Sequence, residues 1–135
     1  MLKLLSQKFE IPAQTAQVSA YLAQTSNYQF LLPANQTSEF KCSASEFSFK
    51  VAGQVSLSLE KKEVTDTMLY FKGAVSNPFA FDLTIYLKSE GQATNGYIEI
   101  NAALNMMLKM LIEKPLQKLL VDMAANLTEQ LSSGM

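Results

Sequence analysis

The feature that most constrains this chain is a change in hydrophobic period at about residue 104. Between Thr37 and Leu104 apolar side chains fall on alternate positions: Phe40 and Cys42; Phe47, Phe49 and Val51; Val55, Leu57 and Leu59; Leu69 and Phe71; Phe79, Phe81, Leu83, Ile85 and Leu87; Ile98, Ile100 and Ala102. Such alternation sets one face of each strand on a core and the other on water. The intervening positions are polar, among them Ser48, Lys50, Asp82, Thr84, Tyr86, Lys88, Tyr97, Glu99 and Asn101. Reversals are marked by Ala44-Ser45, Ala52-Gly53, Lys62 to Asp66, Ser76-Asn77-Pro78 and Glu90-Gly91, where small, polar, glycine and proline residues suit tight turns. These connections are too short for helical crossovers, so the strands form an antiparallel sheet with one apolar face.

From Leu104 to about Leu131 the apolar residues Leu111, Pro115, Leu119, Met123, Leu127 and Leu131 recur every four residues, the mark of one long helix. Four residues turn a helix by about 400°, so this row winds by about 40° per step, which suits a helix lying across a twisted sheet. Pro115 removes the hydrogen bond to the Leu111 carbonyl, and a kink or local break is expected near Leu111 to Glu113. At the other end, Lys3 to Ile11 reads as a strand stopped by Pro12. Val18, Tyr21, Leu22 and Thr25 stripe a helix over Gln14 to Thr25, and Tyr28, Leu31 and Leu32 continue as a second short helix until Pro33 and Asn35.

The expected class is therefore α+β: a curved antiparallel sheet of about six to seven strands, two short helices after strand one, and a long C-terminal helix gripping the apolar face. With 135 residues, a single domain spanning 1–135 can bury roughly two thirds of its unfolded surface without staples. Residues 132–135 read as a frayed tail.

Composition narrows the chemistry. The chain has no histidine, one cysteine and a net charge of −1, and its 11 basic residues are all lysine. Histidine-dependent triads and imidazole zinc sites are excluded. A lone Cys42 cannot form an intramolecular disulfide, and with no histidine to activate it, it reads as a structural thiol rather than a nucleophile. Near-neutral charge without arginine argues against nucleic acid. No calcium loop, di-metal spacing or phosphate-cradling glycine loop is present, so neither a metal nor a cofactor is expected. Asp82 and Glu99 fall on the wet phase, where a carboxylate does not acquire the raised pKa of a general acid. No apolar stretch approaches the roughly 20 residues of a spanning helix, and the apolar start is too short for a signal-peptide core, so a cytoplasmic location is expected.

Leu104-Asn105 followed by Lys109-Met110 and Lys114-Pro115-Leu116-Gln117, together with Asn77-Pro78-Phe79 opening the penultimate strand, resembles the pattern of a small bacterial subfamily of the START-related, pollen-allergen-like and polyketide cyclase/dehydrase-like superfamily. The element order is similar to its helix-grip fold over essentially the whole chain. One departure is Met106, where proline often follows the Leu-Asn pair. The resemblance implies a cavity between sheet and long helix that takes an apolar small molecule or lipid, with a minority of members being enzymes.

The residues facing that space are expected to be Phe49, Leu57, Leu69, Phe71, Phe81, Leu83, Ile98, Ile100, Met107, Leu111 and Pro115. They make either a solid core or the lining of a ligand pocket, and the eight phenylalanines favour a narrow space. Gln7 and Cys42 share the inward phase of Phe9 and Phe40 and are candidate polar groups of the pocket. The leading reading is carriage of a small hydrophobic or lipid-like ligand. The alternatives are a cyclase- or hydratase-like enzyme using the same pocket, the weaker case without histidine, and an interaction module with a filled core. Met106 and Met110 offer a candidate homodimer contact, since methionine suits variable apolar partners.

Overall fold

The computed structural model describes residues 2–133. Its elements are β1 (Leu2–Leu5), β2 (Phe9–Ile11), α1 (Thr15–Ala23), a 3-10 turn (Thr25–Asn27), α2 (Tyr28–Leu31), β3 (Thr37–Cys42), β4 (Glu46–Val51), β5 (Val55–Val64), β6 (Met68–Gly73), β7 (Phe81–Glu90), β8 (Ala93–Ala102) and α3 (Met106–Ser133). The strands form one antiparallel sheet in the order β1-β8-β7-β6-β5-β4-β3, with β2 also paired to β8. This is the helix-grip architecture, with α3 against the apolar face of a curved sheet. The inner face carries Phe47, Phe49, Leu57, Leu59, Leu69, Phe71, Phe81, Leu83, Ile85, Ile98 and Ile100, all buried. α3 covers it with Ile112, Leu116, Leu119, Leu120, Met123, Ala124 and Leu127, also buried, a three-and-four spacing that keeps a helix face on the core.

Local chemistry sets the boundaries. The Gln17 side chain accepts from the Gln14 backbone N–H at 3.2 Å where α1 begins. The Asn105 side chain accepts from the Leu108 N–H at 2.8 Å and starts α3 at Met106, a helix cap that begins the helix without a proline at its first position. The β6–β7 loop passes so close to its own hairpin that a Cβ on Gly73 would collide with the Phe81 carbonyl. Glycine is required there by contact rather than by an unusual φ.

The structure departs from expectation in four places. The first strand is two strands, because Ser6 satisfies Ile98 with its backbone N–H and its hydroxyl, both at 2.8 Å, and the chain bulges at Gln7 and Lys8 before β2 resumes. Lys62 and Glu63, expected to begin a reversal, lie within β5, which bulges between Lys61 and Glu63. The turn follows at Thr65, whose hydroxyl accepts from the Met68 N–H at 3.0 Å. Phe79 is buried in the loop before β7. Finally, α3 runs without interruption through Pro115 to Ser133, since a helix anchored by its apolar face on both sides of a proline tolerates the one lost bond. The expected frayed tail is thus helical to Ser133, and 134–135 lie outside the described residues.

Candidate functional site

The strand residues expected to line the sheet–helix space all point into it: Phe49, Leu57, Leu69, Phe71, Phe81, Leu83, Ile98 and Ile100 are buried. Leu57, Leu69, Phe71, Ile98 and Ile100 retain no accessible surface. A side chain bordering a void that water could enter would retain some, so the centre of the grip is packed in this conformation. Tyr28 of α2 completes the filling. Its ring lies parallel to Phe47 at 4.4 Å and edge-on to Phe71 at 5.3 Å. Its hydroxyl donates to the Leu22 carbonyl at 2.9 Å. Burial, reinforced by nearby Tyr21, holds the phenol well above its ordinary range, so it stays neutral.

The helix and polar candidates are placed differently. Met107 and Leu111 are exposed and Pro115 is only half-buried, because the four-residue row winds around the cylinder: two steps carry Leu111 about 80° away from Leu119. Leu108 and Ile112 take the inward positions instead. Gln7 is exposed, since the bulge breaks the phase it would share with Phe9, and its amide donates to the Val121 carbonyl at 3.1 Å. Cys42 is exposed as well. The β3 register shifts between Ser38 and Lys41, with Glu39 at φ 53°, yet Cys42 still pairs with the inward Phe47; it is exposed because β3 is an edge strand, and it borders an open cleft of ≈ 400 Å³ shared with Thr25, Ser43 and Lys61.

Exposed apolar side chains are scattered at Leu5, Phe30, Val64, Val75 and Val121, but they cluster at the start of α3. Met106, Met107, Met110 and Leu111 are 77%, 72%, 82% and 52% exposed. Beside them an open cleft of ≈ 690 Å³ is lined by Leu2, Ala103, Leu104, Asn105 and Lys109. The side-chain hydrogen bonds tying α3 to other elements, among the described residues, lie further along: Gln117 to the Leu5 carbonyl at 3.1 Å, Gln7 to Val121, and Asn126 to the Leu31 carbonyl at 2.8 Å. The neighbouring Asn77-Pro78 turn is clamped, since Asn77 both accepts from the Ser58 N–H at 2.8 Å and donates to the Ser58 carbonyl at 3.0 Å. The first turns of α3 thus carry fewer side-chain ties to other elements, among the described residues, than the rest of the helix. Sequence reasoning did not assign Leu2, Ala103, Leu104, Asn105 and Lys109 to a site. The Leu104-Asn105 pair was the available signal, as it marks where the chain leaves the sheet.

Ionisable groups lie on the outer face. Glu99 meets Lys3 at 3.9 Å and Asn101 at 2.8 Å, and Asp82 accepts from the Gly73 N–H at 3.2 Å. Tyr70 is raised by burial and by Asp82 beside it. Tyr86 is raised by burial, Glu99 and Tyr97. Among the described residues no three histidine, cysteine or carboxylate side chains gather as a metal site, and no helix is long and apolar enough to cross a membrane.

No family model and no curated protein sequence matches the chain. Solved structures do. A Thermus thermophilus protein superposes with a TM-score of 0.77 at 15% identity, covering 98% of this chain and 99% of its own. A START superfamily protein of Mycobacterium smegmatis superposes at 0.68 and 10% identity, covering 98% and 99%. The fold is the START-like helix grip. A Colwellia psychrerythraea protein solved in solution as a dimer shares it at 0.68 and 10% identity over 99% of this chain and 98% of its own. Within this START-like grip the packed centre and the open cleft beside α3 are separate features, and the cleft is the one open to solvent.

Proposed function

We propose that the protein binds a small hydrophobic or lipid-like molecule at the mouth formed by the start of α3 and the adjoining sheet end. The observation that carries this reading is the juxtaposition of four exposed apolar side chains, Met106, Met107, Met110 and Leu111, with the cleft lined by Leu2, Ala103 and Leu104. Clustered exposed apolar residues mark interaction surfaces more often than scattered ones. Burial of a ligand's apolar area contributes roughly 25 cal/mol per Å² before ordering costs. A long ligand reaches the packed centre only if the first turns of α3 move, and Pro115, which leaves the Leu111 carbonyl without its helical donor, is the natural hinge. Binding is favoured over a cyclase- or hydratase-like activity by the engagement of the buried Ser6, Ser19, Thr25 and Thr94 hydroxyls with backbone carbonyls.

Native mass spectrometry of the protein purified from its own host tests the proposal. An excess mass that is lost on denaturation, and absent from a folded Leu104→Asp variant, is expected. Bare protein in both samples overturns it.

The exposure of Met106 and Met110 favours a second reading, in which this face pairs with another copy of the chain, as the dimeric structural neighbour encourages. A concentration-dependent mass, abolished in Met106→Lys/Met110→Lys, is its signature.

A further inference from the structure

The outer face of the sheet carries a second concavity, unconnected with the α3 mouth. β7 and β8 pair over ten residues, and their register sets Tyr86 opposite Tyr97 and Lys88 opposite Asn95. All four occupy the outward phase. The two tyrosine rings stack at 5.0 Å with 29° between their planes. At the same level the edge strand is interrupted. Leu5 pairs with Glu99 and Phe9 with Gly96, so Ser6, Gln7 and Lys8 stand against only Tyr97 and Ile98 of β8. An extra residue of this kind re-aims side chains. Gln7 turns to α3, and Lys8 joins Tyr86, Lys88, Glu90, Asn95 and Tyr97 around a recess of ≈ 270 Å³.

From this arrangement we infer that the recess between the Tyr86–Tyr97 stack and Lys8 is a binding site for a planar aromatic anion. Tyrosine faces offer offset stacking to a flat ring. Lys8 forms no ion pair among the described residues and Lys88 is only loosely matched by Glu90 at 3.8 Å; Glu10, opposite Asn95, and Glu99, beside Tyr86, lie on the same face, so it is the unpaired Lys8 ammonium, rather than the net charge of the rim, that an anionic substituent complements. The volume is near the small end of ligand pockets, which fits one or two fused rings and is too small for a lipid chain. A carboxylate on an aromatic ring and the phosphate of a mononucleotide present the same chemistry to this rim.

The test is an NMR titration of the whole protein at neutral pH with 2-naphthoate, adenosine monophosphate and, as an uncharged control, 2-naphthol. Saturable shifts centred on Lys8, Asn95, Gly96 and Tyr97 are expected, with an anion binding at least tenfold more tightly than 2-naphthol. The tighter of the two anions assigns the source. Lys8→Glu, which lies on an exposed bulge, should weaken binding at least tenfold without moving the thermal midpoint, and Tyr97→Leu should do so while retaining a strand-forming side chain. The inference is overturned if neither anion gives saturable shifts, if shifts centre on Met106 to Leu111, if 2-naphthol binds equally, or if Lys8→Glu binds as the unaltered protein does. Failure of the α3 mouth to hold a ligand leaves these outcomes unaffected.

Discussion

The first six residues of α3 are richer in apolar side chains than the sixteen that follow, yet it is the second stretch that is sealed. Ile112, Leu116, Leu119, Leu120, Met123 and Leu127 are sealed against the sheet, whereas Met106, Met107, Met110 and Leu111 face solvent. Apolar content alone therefore does not decide burial; angular position on the helix does. The packed part supplies stability, and the exposed part is the surface that the ligand or partner proposed above would cover. This division is expected wherever binding draws on the least stable part of an element.

The sharpest way to break the comparison is truncation on both sides of it. Leu116→Ala should cost about 2–5 kcal/mol, because it leaves a cavity in packed surroundings. Leu111→Ala should stay within about 0.5 kcal/mol, as for other exposed positions. Urea denaturation of both variants measures the contrast. Similar losses would mean that the start of α3 is packed as well as its centre. Pro115 stands at the boundary, and Pro115→Ala restores a donor for the Leu111 carbonyl. Stability should rise by up to about 3 kcal/mol, and ligand exchange monitored by stopped flow should slow if the first turns hinge there.

The depth of the packing is probed at Tyr28. Tyr28→Phe leaves the Leu22 carbonyl without its donor, which should cost about 1–3 kcal/mol. The phenol is raised in the folded state, so the native protein holds this proton more tightly than the unfolded chain. Its contribution is fully present below the ordinary tyrosine pKa and is lost as pH rises toward the folded one. Unaltered protein should therefore lose stability above about pH 10, and Tyr28→Phe should show a shallower decline in equilibrium unfolding across that range.

Much of the architecture was legible because each strand alternates cleanly and each turn is punctuated by small, polar, glycine or proline residues. The inward set from Phe49 to Ile100 could be named for the same reason, since period two leaves only two faces to choose between. What escaped was set by a single-residue offset and by an edge. One extra residue at Gln7-Lys8 reversed the expected orientation of Gln7, whereas Cys42 keeps the phase of Phe47 and is exposed because β3 has no strand beyond it. The offset has no side-chain signature strong enough to read, because Ser6 is an ordinary strand residue until its hydroxyl meets Ile98. On α3 the four-residue row was visible, but its 40° drift per step was not carried back to Leu111, where it places the side chain outside the core. Filling of the centre was not readable either. It depends on Tyr28 arriving from α2 to stack on Phe47, a contact between residues that no local period relates.

The smallest of the expected effects tests what holds the two parts of α3 in register with the sheet edge. Gln117 donates to the Leu5 carbonyl and Gln7 to the Val121 carbonyl, so a pair of amides bridges the bulged edge strand and the helix just beyond the Pro115 boundary. Each bond is partly solvated, and its removal should cost about 0.5–1.5 kcal/mol. Gln117→Ala and Gln7→Ala should therefore be mild singly. Both bonds restrain the same two surfaces, so the double variant should depart from additivity. Amide hydrogen exchange locates the consequence. If the bridge limits the swing of the first turns, protection should fall at Leu111 and Ile112 and stay unchanged at Met123 and Leu127, which their own packing holds in place. Uniform loss along α3 would instead mean that the helix moves as one rod, and the division between its two parts would be one of exposure alone.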